Sequence, residues 1–120
     1  METVAVIGAS PLQDRYANKA MRMLADHDHT PIPVAPKYET IEGRKVYPSL
    51  AQIPEKIDTV TLYVGPARQE AIIKEIIQTA PGRVIFNPGT ENPEAYAPLR
   101  AAGIEVVEAC TLVLLKTNQY

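Results

Sequence analysis

Residues 1–21 read METVAVIGASPLQDRYANKAM, and the parsing of this stretch decides the fold. Val4 to Ile7 is an unbroken apolar run, the pattern of a central parallel strand buried on both faces. Gly8 ends the run, and Ala9, Ser10 and Pro11 carry the chain through a turn. From Tyr16 the period changes: Ala17, Ala20, Met21 and Leu24 fall at helical spacing, with Lys19 and Arg22 on the other side. Strand, glycine turn, helix is how many nucleotide-binding domains begin. A dinucleotide fold, however, places three glycines in this turn, and here there is one.

The same alternation continues outward from this start. Pro31 to Ala35 reads as a short second strand whose prolines suit a strand end better than a ladder centre. Pro36 to Pro48 reads as a long loop with Glu42-Gly43 as its tight point, and Ser49 as the cap of a single helical turn over Leu50 to Ile53. Asp58 to Val64, DTVTLYV, is a clear strand. Gly65-Pro66 opens an amphipathic helix with Ile72, Ile73, Ile76 and Ile77 as its apolar stripe and Pro81-Gly82 as its end. Arg83 to Phe86 is a further strand. Glu91 to Ala102 follows as a helix that Pro98 should bend or delay. Ile104 to Val107 is the last core strand, and Leu112 to Leu115 reads as a short apolar tail, strand or edge. Strands alternating with helices imply an α/β fold: a Rossmann-like, three-layer, doubly wound sheet, mainly parallel, of five or six strands. Residues 1–120 are expected to form one domain.

Composition narrows the partners. The chain has 120 residues, 46% hydrophobic and 22% charged, ordinary values for a soluble globular protein. A net charge of −2 argues against nucleic acid or an anionic membrane as the main partner. No run is long enough to span a bilayer, and the first residues lack the features of a signal peptide, so a cytoplasmic location is expected. A single cysteine excludes an internal disulfide and any cysteine-built zinc site.

In sheets of this class ligands sit beyond the carboxyl ends of the strands, near the point where strand order reverses. Gly8 permits a sharp turn there, and the amides of Ala9 and Ser10 could face a phosphate near the start of the next helix. The hydroxyl of Ser10 could bind that phosphate or stabilise its own turn. After the second strand, where an NAD-binding fold offers an acidic residue to the ribose, the chain has Pro36-Lys37. A cation at that place favours a phosphate on the ribose, as NADP carries at the 2′ position and coenzyme A at the 3′ position. Arg15 could reach the same phosphates with a bidentate fork or pair with a neighbouring carboxylate. Arg68, in the first turn of its helix, opposes the helix dipole there.

His27 and His29 fall at the end of the first helix, where an imidazole complements the helix C-terminus; a structural role fits them better than catalysis or metal binding. Cys110 follows the last core strand and either faces the ligand or packs as a small hydrophobe. No histidine is placed by sequence to activate it.

Taken together, Val6-Ile7-Gly8-Ala9-Ser10-Pro11, Asp14-Arg15-Tyr16-Ala17 and Ile32-Pro33-Val34-Ala35-Pro36-Lys37 resemble the opening of small stand-alone CoA-binding domain proteins. Ile41-Glu42-Gly43, Val46-Tyr47-Pro48-Ser49-Leu50, Asn87-Pro88-Gly89 and Ala102-Gly103-Ile104-Glu105-Val106-Val107 leading to Cys110 extend the resemblance over nearly the whole chain. It differs in having Arg15-Tyr16-Ala17-Asn18 where many members have Pro-Ser-Tyr after the arginine, and Tyr38-Glu39 after the loop lysine. The resemblance implies a domain akin to the nucleotide-binding domain of the succinyl-CoA synthetase α subunit, with coenzyme A across the strand ends. It further implies Gly8, Ala9, Ser10, Arg15, Pro36 and Lys37 as phosphate and ribose contacts. Val64, Gly65 and Pro66 would line the adenine or pantetheine side, and Pro88 and Gly89 would bound the far end.

The expectation is a module that binds coenzyme A or a CoA thioester without catalysing a reaction alone, as a carrier, sensor or partner subunit, with a homodimer or an unknown partner protein as its assembly. Two alternatives stand beside it. One is an NADP- or NAD-binding redox-sensing module; the other is a protein-interaction domain with a vestigial pocket.

Overall fold

A computed structural model describes residues 1–120. β1 (Thr3–Ile7) lies inside a five-stranded sheet, and its alternate residues feed two separate cores. Val4 and Val6 join Ala17, Met21, Leu24 and Leu115 on one side, while Ala5 and Ile7 join Ile73, Ile76, Ala95 and Leu99 on the other. That division is why the VAVI run has no polar partner positions.

The further elements are α1 (Tyr16–Asp26), β2 (Thr30–Val34), a hairpin of β3 (Thr40–Ile41) and β4 (Arg44–Lys45), β5 (Thr59–Leu62), α2 (Glu70–Thr79), β6 (Arg83–Phe86), α3 (Pro93–Ala101), β7 (Glu105–Glu108) and α4 (Thr111–Lys116). The main sheet has the order β2-β1-β5-β6-β7, and every pairing in it is parallel. α1 and α4 pack together on one face, and α2 and α3 on the other. The protein is therefore an α/β, Rossmann-like, three-layer fold. From β1 the chain proceeds outward to β2, then returns past β1 to β5 and continues the other way. The reversal falls between β1 and β5, and their carboxyl ends open the crevice there.

Several local readings change. Leu112 to Leu115 is neither strand nor edge but the body of α4. Leu112 and Leu115, three apart, are buried, whereas Val113 is exposed, which is helical periodicity over one and a half turns. The Pro36–Pro48 loop contains the β3–β4 hairpin, closed by Glu42 (φ 51°) and Gly43 (φ 73°), a pair of left-handed residues that suits a two-residue turn. Ile41 anchors it in the α1 side of the core. Ser49 starts a 3-10 turn (Leu50–Gln52) without a side-chain cap. A second 3-10 turn (Pro66–Arg68) precedes α2, because Gln69 is fully buried and donates to the carbonyls of Val64 (2.8 Å) and Thr90 (2.7 Å).

Pro31 and Pro33 lie within β2 rather than at its end. The amide of Thr30 donates to Glu2 at 2.8 Å, so positions 30, 32 and 34 face β1 and the two prolines face outward. No ladder bond is lost there, because β2 is an edge strand.

Candidate functional site

At the reversal point a cleft of about 410 Å³ opens beyond the strand ends. Ile7, Gly8 and Ala9 reach it from β1, and Val34, Ala35, Pro36, Lys37 and Tyr38 from the end of β2. Tyr63 and Val64 enter from β5, Pro48 to Leu50 from the first 3-10 turn, and Arg68, Ile72 and Glu75 from the α2 side. Ile72 and Glu75, three residues apart, share one face of α2, and Arg68 comes from the 3-10 turn before it.

Gly8 has φ +87°, and a Cβ there would stand 2.9 Å from the carbonyl oxygen of Tyr63. The glycine is thus required twice, by its backbone conformation and by the close approach of β5. Its amide and that of Ala9 both donate to the Val34 carbonyl, at 3.1 and 3.2 Å. The Ala9 amide is therefore committed to the β2 end and does not face a ligand, contrary to the sequence reading. Ser10 holds its own turn: its Oγ accepts the Leu12 amide at 3.1 Å, and its carbonyl accepts from Asn18 Nδ2 at 2.9 Å. Asn18 is fully buried and also donates to Glu42 Oε2 at 3.1 Å, tying the glycine turn to the hairpin.

Of the residues expected from sequence, the cleft gathers Gly8, Ala9, Pro36, Lys37 and Val64. The others lie elsewhere. Ser10 sits in the turn below, and Arg15 is the exposed residue that precedes α1. Gly65 begins the 3-10 turn, and Pro66 lies on the groove between α2 and α3. Gly89 (φ +91°) donates its amide to Glu91. Pro88 borders a second cavity of about 330 Å³, together with Tyr16, Cys110, Leu112, Val113 and Lys116. The cleft residues absent from the expected set include Tyr38, Ile72 and Glu75. The i, i+3 spacing of Ile72 and Glu75 puts them on one face of α2, which becomes a cleft wall once the side of the sheet holding α2 is known.

Lys37 and Arg68 are both exposed and make no ion pair, so they bring two unneutralised cations to one cleft. Tyr63 borders both cavities. Burial pushes its hydroxyl up to about 12, so it remains a neutral phenol at physiological pH. The site is a half-apolar, cation-bearing crevice against a glycine turn, an arrangement that suits an anionic ligand.

Residues 2–116 match the family described as CoA binding domain. The chain belongs to that family. It is 42% identical over 119 residues to the ADP-forming acetate–CoA ligase I of Archaeoglobus fulgidus, a match over 98% of this chain and 17% of the ligase. The chain thus spans about a sixth of that relative. A crystal structure of an uncharacterized protein superposes with a TM-score of 0.93 at 40% identity, over 100% of this chain and 98% of the other. A hypothetical protein from Pyrococcus horikoshii OT3 does so with a TM-score of 0.92 at 36% identity, over 97% and 82%.

Within this CoA-binding domain the two histidines lie at the amino end of the sheet, away from the cleft. His27 caps α1, with Nδ1 2.8 Å from the Met23 carbonyl, and His29 Nδ1 accepts the Glu2 amide at 3.0 Å. Both serve local structure. Cys110 is half-buried, precedes α4 and lines the second cavity.

Proposed function

We propose that the cleft between β1 and β5 binds coenzyme A or a CoA thioester, with the nucleotide end in the crevice and the pantetheine arm leaving it along the strand ends. The observation that carries this reading is the convergence of Lys37 and Arg68 on a cleft floored by the Gly8 turn. A ribose 3′-phosphate is a dianion that two flexible cations can neutralise without a buried partner. The cleft is too small for the whole of coenzyme A, so the arm extends past Tyr63 toward the second cavity.

The domain acts as a binding module, a carrier, sensor or partner subunit. Calorimetry with coenzyme A, dephospho-CoA, NAD and NADP tests the reading. Coenzyme A is expected to bind about tenfold or more tightly than dephospho-CoA, a difference of about 1.4 kcal/mol. Equal binding of the two removes the role of the cations, and binding of NADP in preference to coenzyme A replaces the ligand.

A further inference from the structure

We propose that the second cavity, beyond the ends of β5, β6 and β7, holds the acyl group of a CoA thioester, and that this acyl group is a neutral aliphatic chain. The inference rests on the reading of the first cleft as the coenzyme A site and adds the class of thioester.

The two cavities share Tyr63 and lie toward opposite faces of the sheet. The first is walled by Ile72 of α2 and by the Leu50 turn, the second by Tyr16 at the start of α1 and by Leu112 and Val113 of α4. An arm that leaves the first cleft across the strand ends enters the second beside Tyr63.

The lining says what the end of that arm carries. Tyr63 presents its ring, because its hydroxyl is buried beside Thr61 and Thr111 and bonded to neither. Asn87 has both amide hydrogens committed, to Thr61 and to the Leu62 carbonyl, while its oxygen accepts the Thr111 amide. Pro88 and Leu112 have no polar side-chain atom, and the Cys110 thiol is a weak donor that packs as a small hydrophobe. Lys116, exposed, is the single charged group.

Size and exposure point to more than a free thiol. At roughly 30 Å³ for each water-sized group, a cavity of about 330 Å³ takes about ten of them. Val113 is 53% exposed and Tyr16 69%, whereas Leu112 and Leu115 on the same short helix as Val113 are buried. An aliphatic chain in the cavity removes that valine and tyrosine surface from water. A chain ending in a carboxylate would have only Lys116 to pair with and apolar surface elsewhere, so the neutral chain fits better.

Calorimetry on the full chain with coenzyme A and with its acetyl, butyryl, hexanoyl and glutaryl thioesters tests this. Butyryl-CoA is expected to bind about tenfold more tightly than acetyl-CoA, and hexanoyl-CoA at least as tightly as butyryl-CoA. Val113→Asn puts an amide in the wall without changing the charge. It is expected to bring butyryl-CoA within about threefold of acetyl-CoA, with its melting temperature checking that it folds. A preference for butyryl-CoA that survives undiminished in Val113→Asn overturns the assignment. Tighter binding of glutaryl-CoA than of butyryl-CoA overturns the neutral-chain class. Failure of coenzyme A and every thioester to bind overturns the reading of the first cleft. Binding of coenzyme A and all thioesters with equal affinity overturns only the acyl site.

Discussion

The side-chain oxygen of Asn87 accepts the amide of Thr111 at 2.8 Å, joining the end of β6 to the start of α4. Its Nδ2 donates in turn to Thr61 Oγ1 at 2.6 Å and to the Leu62 carbonyl at 2.9 Å. Thr61 and Thr111 share a further bond of 2.8 Å, so one buried amide fastens three elements beneath the strand ends. Asn87→Ala leaves several of these groups unpaired in a dry site and is expected to cost about 2–4 kcal/mol in urea unfolding. A cost below about 0.5 kcal/mol would show that water replaces the amide at no loss.

Gly8→Ala is expected to be more damaging than its size suggests. The added methyl meets the Tyr63 carbonyl and Val64 Cγ2, each at 2.9 Å, in a backbone region that L side chains avoid. A loss of at least about 2 kcal/mol, with weakened nucleotide binding in calorimetry, is the expected pair of effects. A variant as stable as the wild type would mean that β5 yields at the switch point.

Attraction between the exposed cations and a phosphate is screened by salt. Raising the ionic strength from about 0.1 M to about 1 M shortens the Debye length from about 10 Å to about 3 Å. Coenzyme A affinity is expected to fall about tenfold or more over that range in the wild type, and clearly less in Lys37→Ala. Parallel salt dependences would place the phosphate away from Lys37.

His29 supplies the pH dependence. Burial first, then the positive N-terminal amine nearby, holds its imidazole below the usual 6.5, against the opposing pull of Glu2. The bond that its Nδ1 accepts from Glu2 requires the neutral ring. A lowered folded value means the unfolded chain takes up the proton first. The stabilisation is therefore complete above about pH 6.5 and is lost as pH falls through the folded value. Melting between about pH 7 and about pH 5 is expected to fall more steeply in the wild type than in His29→Asn, whose carbonyl keeps the acceptor without titrating. Identical slopes would assign the pH dependence to carboxylates alone.

Ala80 ends α2 in the left-handed region, with φ 54°, where its methyl is strained and glycine is not. Ala80→Gly is expected to raise stability by about 0.5–1 kcal/mol in thermal unfolding, and a loss would mean that the unfolded-state entropy of glycine outweighs the strain.

The parallel sheet was legible in the sequence because VAVI, TVTL and RVIF are short apolar or β-branched runs separated by glycine and proline. α4 was not, since four apolar residues carry no period and only burial against α1 tells Leu112 and Leu115 from Val113. The hairpin was half legible: Glu42-Gly43 announces a turn, but strands of two residues are too short to alternate. In the site, Gly8 and Pro36-Lys37 were readable because they follow strands directly. Glu75 and Ile72 were not, because their place in the cleft depends on which side of the sheet α2 covers. Asn18 and Asn87 looked like ordinary polar residues, and only the packing makes them anchors.

The outward prolines of β2 have a consequence for assembly. With Pro31 and Pro33 lacking amides and Tyr47 already bonded to Pro33 and Ala35, that margin of the sheet offers nothing for another strand to grip. The margin at β7 has no such block: its Val106 and Glu108 amides point away from β6. Growth of this sheet is polar, closed at the end beside the cleft and open at the other, so any strand added by a second chain leaves the cleft uncovered.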